Sequence, residues 1–168
     1  MINRQFVFFE QKKNKFNKID QSVAFLFKSL DICQMQTFTF KKEERLKSRK
    51  IIKKLFQDGH SFGMYPLRLV WLEMHEVQGD SPVKFSLSVP KRAFPKAVTR
   101  NRLRRLIREA WRLNKHWLYH QLKNEGKQYA FMVIYTAKEP LDLPTITESL
   151  RRMNRRFLKT KASLTTNH

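Results

Sequence analysis

Apolar residues recur along this chain at two spacings, and the changes between them mark out its elements. In residues 38–59 (FTFKKEERLKSRKIIKKLFQDG), Leu46, Ile52, Leu55 and Phe56 fall at roughly helical spacing among Lys and Arg, and Gly59 is a natural C-terminal stop. An extended lead-in followed by a helix is expected there. The run LRLVWLEM within residues 66–75 reads as a strand buried on at least one face. Gly79, Asp80, Ser81 and Pro82 carry a turn signal. Beyond it Val83, Phe85, Leu87 and Val89 alternate with Lys84, Ser86 and Ser88, the pattern of a half-exposed strand whose polar face meets solvent or ligand. These two strands are expected to pair as a hairpin.

The next segment changes period. Pro95 suits the first turn of a helix, where a missing N–H is no loss, and no Gly or Pro follows until Gly126. A helix from about residue 96 to about residue 117 is predicted. On a helical wheel Leu103, Leu106, Ile107, Ala110, Leu113 and Trp117 gather on one face, to pack on a core. Asn101, Arg104, Arg105, Arg108, Arg112 and Lys115 gather opposite, with Arg100 and Arg102 on the borders. Residues 129–135, YAFMVIY, form the most apolar run and predict a central strand buried on both faces. A last helix is expected over about residues 145–159. There Ile146, Leu150, Met153 and Phe157 face the core and Arg151, Arg152, Arg155 and Arg156 point away. The order is α-β-β-α-β-α, an α/β sandwich with helices packed on a small mixed sheet. Residues 1–36 read as a poorly ordered extension with one apolar patch at 23–30, residues 37–160 as the folded domain, and residues 161–168 as a frayed tail. Met35 stands just before the first patterned segment, so a translation start placed too early is one reading of that extension.

Charge sharpens the picture. The formal net charge is +21 over 168 residues, which calls for a polyanionic partner: RNA, DNA or, less favoured, an anionic membrane surface. The charge is densest in residues 91–112 (KRAFPKAVTRNRLRRLIREAWR), with nine Lys or Arg against one acid, Glu109. A charged helix face is usually just solvated. Here the series Arg100, Arg104, Arg108, Arg112 repels itself at i,i+4, by about a few tenths of a kcal/mol per pair, a cost that a polyanion would recover. Arginine dominates, and its planar fork suits phosphate oxygens and stacking on bases. A single cysteine, Cys33, excludes an internal disulfide framework, and no His, Cys or acid cluster has metal-ligand spacing. No carboxylate pair suggests general acid–base work. No apolar run approaches a membrane span. The chain therefore reads as a soluble, cytoplasmic binder of nucleic acid with no catalytic residues of its own, no membrane and no small-molecule substrate.

The segment AVTRNRLRRLIRE, residues 97–109, resembles the signature of the bacterial ribonuclease P protein subunit. The resemblance extends through Arg45-Leu46-Lys47 and Leu55-Phe56 in the first helix, SLSVPKR (residues 86–92) before the signature, and the strand and helix after it. It covers about residues 38–159. It implies a small basic protein bound to a large catalytic RNA that carries the active site and holds Mg2+, the whole removing the 5′ leader from precursor tRNA. It assigns RNA docking to Arg100, Asn101, Arg102, Arg104, Arg105 and Arg108, with Lys91 and Arg92 adjoining. It implies a cleft for the single-stranded leader between the first helix and the open sheet face, formed by Arg45, Ile52, Phe56, Arg68 and Val70. Ile52 stands where the family commonly has an aromatic. The resemblance also implies a left-handed β-α-β crossover around the arginine helix. Where the family usually has a Gly, this chain has Ala93-Phe94-Pro95-Lys96, so Phe94 is either a core anchor or an exposed stacking ring. From the residues alone, the alternative is a ribosomal or other structural RNA-binding protein; a sequence-specific DNA binder is a third reading.

Overall fold

The computed structural model describes residues 39–74 and 79–165, so the extension over residues 1–36 and its apolar patch lie outside the described residues. Helix α1 spans Arg49–Asp58. It starts where the Ser48 hydroxyl accepts the Ile51 N–H and ends at Gly59. Leu46 is buried as expected but precedes the helix: its N–H donates to the Phe85 carbonyl at 2.9 Å, beside a parallel bridge between Arg45 and Phe85. The chain then turns back so tightly at Gly59 that a Cβ there would lie 2.1 Å from the Leu55 carbonyl oxygen and 3.1 Å from that of Trp71. Backbone atoms cannot give way cheaply. Gly59→Ala should therefore lose roughly 1–3 kcal/mol of stability, read as a lower Tm by calorimetry; an unchanged transition would contradict this packing.

Four strands follow: β1 His60–Met64, β2 Leu67–Met74, β3 Val83–Ser88 and β4 Gln128–Tyr135. Between β3 and β4 runs helix α2, Ala97–Leu122, and after β4 comes helix α3, Leu143–Thr165. The order α-β-β-α-β-α stands, with β1 as one further short strand. Sequence patterning missed β1 because HSFGM buries only Phe62. β1 and β2 form a hairpin closed at a cis Tyr65–Pro66 bond.

The sheet order is β1-β2-β4-β3, with β4 antiparallel to β2 and parallel to β3. The hairpin expected between residues 66–75 and 83–89 is therefore not formed, because β4 lies between those strands. The most apolar strand takes the position flanked on both edges and both faces. The strand bearing Lys84, Ser86 and Ser88 takes an edge. One sheet face carries Leu67, Leu69, Trp71, Val83, Phe85, Tyr129, Phe131, Val133 and Tyr135 and meets α2 and α3 in the main core. The other carries Val70, Ala130 and Met132 and is covered by Leu46 and Leu55.

Helix α3 turns Ile146, Leu150, Met153 and Phe157 into the core as predicted and runs on past residue 159 to Thr165. Helix α2 also runs past its predicted end, through a 3-10 turn at Lys123–Glu125 to Gly126, whose φ of 63° terminates it. Its buried seam differs from the predicted one: Leu103, Ile107, Ala110, Trp111, Lys115, Leu118 and Leu122. Trp111 stacks on Phe85 with centroids 4.3 Å apart and meets Phe131 edge-on, drawing the helix round. Leu113 and Trp117 are consequently 43% and 47% exposed, whereas Lys115 is buried.

Candidate nucleic-acid interface

The approach to α2 is fixed from below. Phe94 is buried against Tyr135, ring centroids 5.7 Å apart, so of its two readings it is the core anchor. Arg100 Nη1 donates to the carbonyls of Phe94 (2.8 Å) and Pro95 (2.6 Å). That arginine clamps the loop as well as carrying charge. Lys91 and Arg92 are exposed in the turn just before, near the helix N-terminus, where backbone N–H groups add positive potential.

Along the helix Asn101, Arg102, Arg105 and Arg108 are exposed and Arg104 is half-exposed. Among the described residues, none of Arg102, Arg104, Arg105 and Arg108 makes a hydrogen bond or ion pair with another side chain. The one acid on this side, Glu109, is engaged by Arg112, Nε to Oε2 at 2.9 Å and Nη2 to Oε1 at 2.5 Å. That hydrogen bond holds the Glu109 carboxyl below its usual range. The result is a row of uncommitted guanidinium groups on a rigid rod whose other side is core.

The second group of residues lies on the opposite sheet face. Pairing registers set two rows across it: Arg68, Ile134 and Ser88 in one, Val70, Met132 and Ser86 in the next. Ile52 packs half-buried against the Val70 cluster, and Phe56, one turn further along α1, is 56% exposed. Arg68 is exposed and donates to the Ser61 hydroxyl at 2.9 Å. Val70 is buried beneath α1, so it supports the floor of this face. Arg45 is not brought onto this face: it pairs in parallel with Phe85, and its guanidinium lies 5.4 Å from the centroid of the Phe40 ring, which packs on Phe85 in the main core, whereas its neighbour Leu46 turns toward α1. Ser86, Ser88 and Ile134 complete the half-open strip. The alternation of Ser with apolar residues in β3 was the signal for the two serines, while the central-strand pattern of β4 concealed Ile134.

Lys84 corrects that alternation: it is buried, and its ammonium donates to the Glu43 carbonyl at 2.6 Å. Lys115, predicted to face out, is the second correction. Its ammonium donates to Glu44 Oε1 and Oε2 at 2.5 and 2.6 Å and to the Thr39 carbonyl at 2.5 Å. Both side chains are buried, which ties the segment ahead of α1 to the arginine helix. A partner 71 residues away in sequence left no local trace. Among the described residues, no group of three or more His, Cys, Asp or Glu could hold a metal ion, and no helix is long and apolar enough to cross a membrane.

Residues 40–160 match the family model described as Ribonuclease P. The chain is 38% identical over 119 residues to the "Ribonuclease P protein component" of Porphyromonas gingivalis strain W83, covering 69% of this chain and 84% of that one. The protein of the same description from Vibrio cholerae is 34% identical over 84 residues, half of this chain and 68% of that one. Among solved structures, the ribonuclease P protein of Thermotoga maritima aligns with TM-score 0.53 at 24% identity, over 67% of this chain and 96% of that one. The Staphylococcus aureus protein aligns with TM-score 0.51 at 21% identity, over 66% and 92%. These two likenesses concern the fold.

Proposed function

The chain belongs to the ribonuclease P protein family, the protein component of an endoribonuclease, and on that footing we propose that its two faces divide the work of holding RNA. The row Arg102, Arg104, Arg105 and Arg108, with Asn101, Arg100, Lys91 and Arg92, docks on the catalytic RNA of the enzyme. The face bounded by Ile52, Phe56 and Arg68, over Val70, takes the single-stranded 5′ leader of precursor tRNA. The observation that carries this is the run of unpaired arginines on a helix fixed by a buried seam. Cleavage is performed by the RNA, which also holds the Mg2+, and the protein raises local precursor concentration and screens phosphate repulsion. Residues 37–160 form the RNA-binding domain, and the site of action is the cytoplasm. A ribosomal or other structural RNA-binding role is not favoured by the family match.

The direct test is reconstitution with the cognate catalytic RNA at low Mg2+. Adding the protein should increase precursor cleavage; no increase would overturn the reading. For the leader face, Phe56→Ala should raise KM for precursors with leaders by roughly 5–150-fold, the range for loss of one stacked base, and spare leaderless substrates. Equal losses on both would contradict the assignment of that face.

A further inference from the structure

The exposed side of α2 changes character halfway along. Its N-terminal half presents Arg102, Arg105 and Arg108. Its C-terminal half presents Leu113, His116, Trp117 and His120. At about 100° per residue, Leu113 and Trp117 lie only about 40° apart on successive turns, with the half-buried Leu106 between them in angle. The three make an apolar ridge beside the arginine row. On the ridge's other flank the Asn114 amide oxygen accepts Arg151 Nε at 2.8 Å, so a guanidinium from α3 stands there too. About 12 residues of helix, roughly 18 Å, separate Arg105 from Trp117.

Leu113 and Trp117 adjoin on successive turns, and exposed apolar side chains that are contiguous rather than scattered mark an interaction surface. A second copy of this chain is a poor fit, since each copy carries a formal charge of +21. An RNA strand fits on both counts: phosphates for the flanking guanidinium groups and flat apolar rings for the ridge. Burial, with Lys115 adding, holds the adjacent His116 imidazole below its ordinary pKa, so near pH 7 it is a neutral ring.

We propose that Leu113 and Trp117 form a stacking platform for an unpaired nucleotide of an RNA whose phosphates are held by the arginine row, so that the contact runs the length of α2. This rests on the reading of α2 as the RNA-facing helix, and the experiment separates the two. Of the three tryptophans, Trp71 and Trp111 are buried and Trp117 is exposed, so a change in indole emission reports on this ridge. The full chain is titrated with a single-stranded oligoadenylate RNA and with the catalytic RNA, following RNA anisotropy and tryptophan emission in parallel. Emission should be quenched in step with binding. With the catalytic RNA, Trp117→Leu should abolish the quench and weaken binding roughly tenfold, and Trp117→Phe should restore most of the affinity. Binding of the catalytic RNA with unchanged emission and no penalty in Trp117→Leu would overturn the platform and leave the docking role of α2 intact. No RNA binding at all would overturn both. Concentration-dependent sedimentation of the free protein, abolished by Trp117→Leu, would make the ridge a self-association surface instead.

Discussion

Replacing Arg104 and Arg108 together by Ala should weaken binding to the catalytic RNA by one to two orders of magnitude while leaving the fold as stable as before. Both side chains project from the helix without a partner among the described residues, so their removal strands no buried group. It also relieves an i,i+4 repulsion, so Tm should hold or rise slightly. The loss should come from phosphate contacts and the counterions they release. The plot of log affinity against log salt should therefore flatten by roughly one unit per contact removed. Arg100→Ala provides the contrast. Its guanidinium holds the carbonyls of Phe94 and Pro95, so that variant should lose stability together with affinity. If the double variant binds as tightly as the parent, with the same salt slope, the arginine row is a solvated face.

Periodicity located this row because, among the described residues, no other element covers it: an exposed stripe keeps the polarity its residues advertise. The same logic succeeds for α3, where Ile146, Leu150, Met153 and Phe157 all face one core. It fails where the environment depends on distant chain. Lys115 and Lys84 look outward by polarity but are buried, because Glu44 and the Glu43 carbonyl receive them. Trp117 and Leu113 look inward but are half-exposed, because Trp111 engages Phe85 and sets the rotation of α2. The strand order could not be read either. Local pattern favoured a hairpin of adjacent strands, whereas the core rewarded placing the most apolar strand between them. On the face proposed for the leader, Phe56 was placed by the family resemblance; periodicity set it on one stripe with Ile52 and Leu55, yet it is 56% exposed. Ile134 was hidden within a strand that reads as wholly buried.

Lys115→Met should be the most destabilising of the substitutions considered. In the parent, one ammonium satisfies both Glu44 carboxylate oxygens and the Thr39 carbonyl inside the protein. Removing it leaves a carboxylate 6% exposed with no counter-charge, which costs about 3–5 kcal/mol, a large share of the roughly 5–15 kcal/mol that holds a typical domain. Chain relaxation would hydrate Glu44 only by lifting the Lys42–Glu44 turn off β3. That would slacken Arg45 and the start of α1, so precursor binding should lose its dependence on the leader. The double variant Glu44→Leu with Lys115→Met removes both charges and keeps an apolar contact. Exchanging a buried pair for packed apolar groups is often neutral or stabilising, so this variant should regain most of the lost stability. Urea denaturation of the four proteins in a double-mutant cycle measures the coupling. A single Lys115→Met variant within about 1 kcal/mol of the parent would mean the pair is hydrated and does not anchor the segment. If the pair does anchor it, the segment ahead of α1 and the arginine helix are coupled through the buried Lys115 ammonium.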